Sequence, residues 1–232
     1  MMELGWLFLP LTVAVYFFAL KLYKKTKFLL FNPVIFSIIC FTLLLLWLEI
    51  PYSTYLQGGK WIGWFLEPSV VALGLPLYLQ RKELKRDLVK LLTCTALASF
   101  LAISSVLLLA MWFGLDKQTA ISISPKSITT AIAVVVSEQQ GGTPALSAVS
   151  VSFAGVFGVL FAIPIMKLCG IKSPKAQGLA MGASSHALGT ARIKEDGELQ
   201  GAYSALSLVL CAIFTAILLP ILLKIFLPMI GN

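Results

Sequence analysis

The chain has 232 residues, of which 59% are hydrophobic and 12% are charged, and its formal net charge is +8. About a quarter of the residues are charged in a typical soluble domain, so this composition excludes an ordinary water-soluble globule. It indicates an all-α polytopic membrane protein formed by one domain, residues 1–232. The basic residues stand in short loops between apolar blocks, which predicts membrane topology and not nucleic-acid binding as the reason for the positive charge.

Four apolar blocks occupy residues 1–118, and we interpret each of them as a membrane span. Basic clusters follow the first and third blocks, so we expect both of these ends in the cytoplasm. The basic residues follow the first block instead of preceding it, which favours a retained membrane span over a cleaved signal peptide. The blocks cover about residues 4–20, 33–50, 61–79 and 88–113, with a loop at Gly58, Gly59 and Lys60 between the second and third.

The remaining chain contains two units of one kind, residues 119–168 and 174–226. In each unit a mixed polar and apolar stretch is followed by a polar break and then by one long apolar block. The mixed stretches lie at about residues 120–137 and 176–193, the breaks at 138–142 and 194–200, and the apolar blocks at about 144–168 and 202–226.

The two units resemble one another at an offset of 60 residues. Ten of the 26 ungapped positions from Ser124 to Val149 are identical to their counterparts, including a Glu-x-Gln-Gly motif at Glu138 and Glu198. We interpret this match as an internal duplication. If each mixed stretch enters and leaves the membrane on one face, 14 of the 18 Lys and Arg residues lie on the cytoplasmic side. The four exceptions are Lys60, Lys117, Lys126 and Lys224.

That charge distribution predicts an inverted repeat. The expected architecture is about six full spans plus two broken or re-entrant helical segments, an arrangement found in secondary transporters. Their substrate sites lie where the broken helices meet near the middle of the membrane. We therefore look for functional residues within the two mixed stretches.

Lys126 is the most unusual residue of the first mixed stretch. A lysine deep in a bilayer is costly unless it is paired or hydrated, so it marks a candidate functional site. The alternative is a long side chain that reaches the membrane surface. Ser124 and Pro125 resemble an N-cap and first helical residue, and the N–H groups of such a turn, together with Lys126, are expected to bind an anion.

His186 is the only histidine and is the counterpart of Lys126 in the second unit. It is expected either to bind a carboxylate or a proton, or to be an ordinary packing residue. Glu138 is expected to pair with a basic residue or to cap a helix. Gly141, Gly142 and Gly189 are expected to permit turns or a close approach of the backbone. Arg192 is expected to lie at the membrane interface, where it would meet an anion that leaves the site. The polar residues expected around the substrate are Ser127, Thr129, Thr130, Ser185 and Thr190.

The pattern predicts a non-enzymatic protein without metal or cofactor. No nucleophile–base pair, nucleotide-binding loop or metal-ligand spacing stands out. The four cysteines, Cys40, Cys94, Cys169 and Cys211, are widely separated and are expected to pack as free thiols.

Three segments resemble the LrgB/CidB family, and the resemblance extends over the whole chain, most closely to the YohK-type members of the bacterial inner membrane. One departure is Ala131, where the family usually has proline after the paired threonines. The segments are Ser-Pro-Lys-Ser-Ile-Thr-Thr (124–130), Glu-Gln-Gln-Gly-Gly-Thr-Pro-Ala (138–145) and Gly-Leu-Ala-Met-Gly-Ala-Ser-Ser-His-Ala-Leu-Gly-Thr-Ala-Arg (178–192).

The resemblance implies two competing functions. One is transport of a small monocarboxylate such as pyruvate or glycolate, and the other is antiholin-like regulation of murein hydrolase activity with a small LrgA/CidA-like holin-like membrane partner. A purely structural role beside such a pore is a third alternative. The anion-binding pattern around Lys126 and His186 favours transport. The chain is expected to be a multi-pass protein of the bacterial cytoplasmic membrane. Its expected partners are lipid, a small carboxylate substrate and the small holin-like protein, with a homo-oligomer as a further alternative.

Overall fold

A computed structural model describes residues 4–26, 31, 33–65, 68, 71, 74–79 and 81–230. These residues form helices and no strand, which confirms the all-α prediction. The helices are α1 (Leu4–Thr26), α2 (Pro33–Trp47), α3 (Tyr52–Gly63), α4 (Gly74–Leu79), α5 (Arg81–Arg86), α6 (Leu88–Trp112), α7 (Lys117–Ile123), α8 (Thr130–Gln139), α9 (Pro144–Leu168), α10 (Pro174–Lys194) and α11 (Glu198–Phe226), with a short 3₁₀ turn at Leu227–Met229.

Four stretches of helix among the described residues are long and apolar enough to cross a membrane: Gly5–Thr26, Leu88–Trp112, Pro144–Leu168 and Glu198–Met229. A helix needs about 20 apolar residues to cross the roughly 30 Å hydrocarbon layer. The chain is therefore a membrane protein. The total of about six full spans stays a prediction, because α2 has 15 residues and α3 has 12.

The N-terminal unit, Met1–Gly74, contains α1, α2 and α3. Here the prediction of a loop at Gly58, Gly59 and Lys60 is wrong, because all three lie within α3. Gly58 serves helix packing, because a Cβ there would meet the carbonyl oxygen of Gly5 and, at 3.0 Å, the amide nitrogen of Leu9. Small residues let two membrane helices approach this closely.

The third apolar block, about residues 61–79, does not form one continuous helix. Helix α3 ends at Gly63, and α4 begins at Gly74. Residues 66, 67, 69, 70, 72 and 73 of this block lie outside the described residues.

In the C-terminal unit, Leu75–Asn232, helices α6 and α11 run side by side in the same direction. Near their starts, Leu91 and Tyr203 belong to one apolar cluster. Farther along, the Cys211 thiol donates to the carbonyl oxygen of Thr95 at 3.8 Å. Near their ends, residues of α6 such as Leu107 pack with residues of α11 such as Leu219.

The first mixed stretch is a broken helix that turns back on itself, and we call residues 117–139 the first hairpin. Helix α7 ends at Ile123, and α8 begins at Thr130 after a six-residue turn. Lys117 at the start of the hairpin and Gln140 just beyond its end line the same cavity of about 340 Å³. The Ser122 hydroxyl accepts a hydrogen bond from the Thr143 amide at 2.7 Å, which fixes the hairpin to the start of α9.

The second mixed stretch, α10, is also broken, and we call residues 174–194 the second hairpin. His186 has φ 42° and ψ −137°, which interrupts the helix. Gln177 from the first arm and Arg192 from the second line one cavity of about 230 Å³, together with Lys167 at the end of α9. The two hairpins therefore have their open ends at opposite ends of α9.

Candidate functional site

The tips of both hairpins meet beside the middle of α9, where they border a cavity of about 750 Å³. Lys126 contributes from the first tip, and Ser184 and Ser185 contribute from the second. Lys126 and the two serines that directly precede His186, its counterpart at an offset of 60, thus border one cavity. The rest of the wall is mostly apolar, with Phe153, Phe157 and Phe161 of α9 on one side.

Lys126 lies in the turn between α7 and α8, where its amide donates to the carbonyl oxygen of Ile123 at 3.2 Å. Its side chain is half-buried, and it is the one charged residue among those that line this cavity in the described part of the chain. No ion pair to Lys126 occurs among the described carboxylates. The site is therefore apolar with a single positive charge.

The predicted N-cap at Ser124 is wrong. Ser124 is the C-cap of α7, and its hydroxyl donates back to the carbonyl oxygen of Ala120 at 2.7 Å. Proline has no N–H to continue a helix, so Ser-Pro here ends one helix instead of starting another. The next helix has Thr129 as its N-cap, and the predicted helix N-terminus after Ser124 is not formed.

His186 is buried, with 4% of its surface exposed, at the break in the second hairpin. Its Nε2 lies 2.9 Å from the carbonyl oxygen of Val151 on α9, and because a carbonyl only accepts, Nε2 carries the proton in this bond. A Cβ at Gly155 would lie 2.5 Å from this nitrogen, so the glycine leaves room for the ring. His186 joins the hairpin tip to α9 and does not itself line the cavity.

Ser185 is fully buried on the rim of the cavity beside Gly158. A Cβ at Gly158 would overlap the Ser185 hydroxyl and Cβ, so a glycine is needed for this approach. The neighbouring Ser184 hydroxyl lies 2.9 Å from that of Ser185. Together they supply a pair of hydroxyl groups to the cavity that Lys126 also lines.

Gly189 and Thr190 lie in the returning arm of the second hairpin, away from the cavity lining. A Cβ at Gly189 would lie 3.0 Å from the carbonyl oxygen of Met181, because the two arms pass closely there. The Thr190 hydroxyl donates to the His186 carbonyl at 2.9 Å and lies 2.8 Å from the Ser204 hydroxyl. These contacts hold the arm against α11, and direct substrate binding by Thr190 stays a prediction.

Three further predicted residues, Ser127, Thr129 and Thr130, are half-buried at the first hairpin tip. They are near Lys126 in the chain but are not among the residues that line the cavity. Their contact with substrate also stays a prediction.

The four residues predicted to have supporting roles lie at the open ends of the hairpins. Glu138 is exposed near the end of α8. Gly141 has φ 88°, which a side chain rarely adopts, and a Cβ at Gly142 would overlap the Ser137 hydroxyl. Arg192 pairs with Asp196 at 3.2 Å and Glu195 at 3.6 Å, and its place at the membrane interface stays a prediction.

Sequence reasoning missed two polar features. Ser150 of α9 lines the cavity, and only its place within an apolar block sets it apart in the sequence. Asp87, just before α6, accepts hydrogen bonds from the Tyr203 hydroxyl at 2.5 Å and from the Lys175 ammonium at 2.8 Å. These two bonds lower the pKa of Asp87 to about 2. The sequence contains no local signal for a contact over 116 residues.

No three His, Cys, Asp or Glu residues come together as a metal site in the described portion of the chain. The arrangement around Lys126 instead offers one ammonium group, several hydroxyls and an apolar wall. Chemically, this combination suits a small anion with an apolar part.

Comparison with known proteins gives the LrgB-like family, whose model matches residues 12–225. An uncharacterised protein of Haemophilus influenzae is 39% identical over 95% of both chains. The uncharacterised protein YxaC of Bacillus subtilis is 37% identical over 93% of this chain and 94% of its own. The holin-like protein CidB of Staphylococcus epidermidis is 32% identical over 95% of this chain and 96% of its own. No solved structure matches.

Proposed function

We propose that this chain, which belongs to the LrgB-like family, is a secondary transporter, or the transport subunit of one, for a small monocarboxylate such as pyruvate or glycolate. The observation that carries the proposal is Lys126 at the meeting point of two broken helices, as the one charged residue lining the cavity in the described chain. A carboxylate bound there supplies the countercharge that Lys126 otherwise lacks among the described side chains.

The charge of the cavity favours a monoanion. An ammonium group in an apolar surrounding attracts one negative charge strongly, because the low local dielectric weakens screening. A second carboxylate would be buried against the phenylalanine side of the cavity without a partner, which is costly. We expect pyruvate to bind and a dicarboxylate of similar length to be rejected.

The serine pair supports an orientation of the substrate. Ser184 and Ser185 border the cavity from the tip opposite Lys126, and hydroxyl groups donate to carboxylate or carbonyl oxygens. In this proposal Lys126 binds the carboxylate, the hydroxyl groups bind the remaining oxygen, and the apolar wall contacts the carbon chain. His186 fixes the second tip against α9 through its bond to Val151, and any coupling to protons acts through this tip.

The path of the chain supports the predicted inverted repeat. Each hairpin begins and ends beside one cavity at its open end, and the two open ends lie at opposite ends of α9. We propose that both hairpins are re-entrant, one from each membrane face, with their tips at the substrate. Alternating access then follows if each hairpin controls access from its own face.

A second candidate function has one specific observation in its favour, the name of the relative in Staphylococcus epidermidis, a holin-like protein. Under this alternative the chain regulates murein hydrolase activity and lysis by contact with a small holin-like membrane partner. Such a role does not need an unpaired lysine within the membrane, which is why we favour transport.

The test is uptake of labelled pyruvate or glycolate by proteoliposomes that contain the purified chain. We expect saturable uptake with wild-type protein and at least about tenfold weaker uptake at low substrate concentration with Lys126→Gln, because a buried charge pair is lost. Lys172→Gln is the matched control, since Lys172 is exposed and outside the cavity.

Two outcomes contradict this proposal in different ways. Uptake that is unchanged by Lys126→Gln, or by Lys126→Ala with His186→Ala, overturns the site. Absence of uptake of any small carboxylate, with and without a small holin-like partner, overturns transport and favours the regulatory function.

A further inference from the structure

The cavity that Lys126 lines continues as a groove along α9. The lining residues of this helix recur every three or four positions from Leu146 to Met166, so they share one helix face. At 1.5 Å per residue this stripe is about 30 Å long, and the whole cavity has a volume of about 750 Å³. Cavities of about 300–1,000 Å³ accommodate drug-sized ligands. A bound pyruvate therefore leaves most of the groove unfilled.

The polar groups of the groove lie together at the hairpin tips. They are Lys126, Ser150, Ser184 and Ser185, and the other lining residues are apolar or glycine. Ser185 lies at the level of Gly158, where a Cβ would overlap its hydroxyl. The groove thus has one polar end beside the middle of α9.

Beyond Gly158 the groove is an apolar arm, lined from α9 by Phe161, Ala162, Ile165 and Met166. From Gly158 to the end of α9 at Leu168 the helix rises about 15 Å. One leaflet is half of the roughly 30 Å hydrocarbon layer, which is also about 15 Å. The arm therefore has the length of one acyl chain of a membrane lipid.

One side of the groove is open at the surface of the chain. Phe153, Phe157 and Phe161 form a row of rings with centroids 6.4 Å and 4.5 Å apart, and their exposed fractions range from 41% to 73%. Exposed phenylalanines on a membrane-spanning helix contact lipid. A single acyl chain binds membranes reversibly, so an amphiphile can exchange sideways between the bilayer and the groove.

We propose that the groove binds a free fatty carboxylate from the membrane, with the carboxylate at Lys126 and the acyl chain along the apolar arm. The fatty carboxylate and the small monocarboxylate share Lys126, so this inference rests on the proposed substrate site. It adds a regulatory ligand, because occupation of the groove excludes the small substrate.

The charge of the groove decides among amphiphiles. Lys126 is the one charged residue of the lining, and it has no ion pair with a described carboxylate. A charge in an apolar surrounding is costly without a partner. A neutral lipid leaves the lysine unpaired, and a cationic amphiphile is repelled. A carboxylate pairs with it and also accepts hydrogen bonds from the serine hydroxyls.

The experiment measures thermal unfolding of the full chain in phosphatidylcholine nanodiscs under mildly alkaline conditions, where palmitate is ionised. The titrants are palmitate, methyl palmitate and phosphatidylglycerol, and native mass spectrometry counts the bound molecules. We expect a saturable rise in Tm with palmitate and little change with the other two. Lys126→Gln is expected to raise the half-saturating palmitate concentration at least about tenfold, because a charge pair is lost. Lys172→Gln is the control, since Lys172 is exposed and outside the cavity.

Ile165→Ala tests the apolar arm separately from the charge. Ile165 lines the arm and is 50% exposed, so its truncation leaves the core intact. We expect about threefold weaker palmitate binding from the lost van der Waals contacts, and no change for hexanoate, whose chain is too short to reach this residue. Ile217→Ala is the matched control, because Ile217 is 55% exposed on α11 and does not line the cavity.

Palmitate is also expected to raise the apparent KM of pyruvate uptake without lowering the maximal rate. Pyruvate uptake without saturable palmitate binding overturns this inference and leaves the transport proposal standing. Saturable palmitate binding that depends on Lys126, without uptake of any small carboxylate, supports this inference and overturns transport. The inference is also overturned if methyl palmitate or phosphatidylglycerol acts as palmitate does, or if either variant binds palmitate as its control does.

Discussion

Lys126 illustrates how a single residue can be favourable for function and unfavourable for stability. A lysine at the centre of a membrane helix costs about 3 kcal/mol on membrane-insertion scales, and this cost falls where the side chain borders an open cavity. No carboxylate among the described residues pairs with it to recover that cost. A lysine placed under these conditions is expected to be required for ligand binding.

Replacement of Lys126 by methionine tests this trade-off. Methionine has similar length and no charge, so it fits the apolar wall without the desolvation cost. We expect Lys126→Met to raise Tm by about 2–4 °C, as a gain of roughly 1 kcal/mol does in a chain of this size, while carboxylate uptake is lost. The measurement is thermal unfolding in detergent beside proteoliposome uptake, with Lys172→Met as control. A lower Tm with Lys126→Met would indicate that the lysine has a stabilising partner.

At the scale of the element, the second hairpin is defined by contacts at both of its ends. Its tip is fixed to α9 by the bond from His186 to Val151. Its first arm is fixed at the other end by Lys175, which binds Asp87. These polar contacts act together with apolar packing, in which Met181 and Ile193 of α10 cluster with Met166 of α9.

The Asp87 contact predicts how stability depends on pH. The pKa of Asp87 falls from its usual 3.8 to about 2, because the carboxylate accepts hydrogen bonds from Lys175 and Tyr203. A carboxylate with a lowered pKa stabilises the folded state fully above its unfolded pKa and loses this contribution as the pH falls through the folded pKa. We therefore expect wild-type protein to have a higher Tm than Asp87→Asn at pH 7, with the difference shrinking from about pH 4 towards pH 2.

The measurement is thermal unfolding of wild-type and Asp87→Asn protein in one detergent across this range. Asp116→Asn serves for comparison, because Asp116 also has a pKa lowered by local hydrogen bonds, in this case to Thr119, but joins no other helix. A difference between wild type and Asp87→Asn that stays constant down to pH 2 would contradict the assignment.

At the scale of the whole molecule, the open ends of the hairpins are the features that decide topology. The first opens beside the start of α9 and the second beside its end. If α9 spans the membrane, these open ends face opposite sides. The distribution of Lys and Arg then places the first outside and the second in the cytoplasm.

Single cysteines at the four hairpin ends test this topology. The described natural cysteines, Cys40, Cys94, Cys169 and Cys211, are all free thiols and are first replaced by serine. We expect Gln118→Cys and Gln139→Cys to react with a membrane-impermeant maleimide in intact cells. We expect Lys172→Cys and Lys194→Cys to react only after the membrane is permeabilised. Labelling of Gln118→Cys and Gln139→Cys from opposite sides would show that the first segment crosses the membrane.

The sequence alone determined the membrane environment, the long helices α6 and α9 to within one or two residues, and the two interrupted stretches that carry Lys126 and His186. These features are local: long apolar blocks and isolated polar residues can be recognised without knowledge of any neighbour. The family also followed from local motifs, and the comparison confirmed it.

Only the tertiary structure decided which residues face the cavity, that Gly58 packs a helix, that Ser124 ends α7 and that Asp87 joins Lys175 and Tyr203. Ser-Pro is compatible with either end of a helix, and glycine with either a loop or a close helix contact, so local preference does not choose between them. The contact between Asp87 and Tyr203 spans 116 residues and leaves no periodic pattern in the chain. Such features depend on which helices pack together, and that is settled by the total packing free energy of the fold.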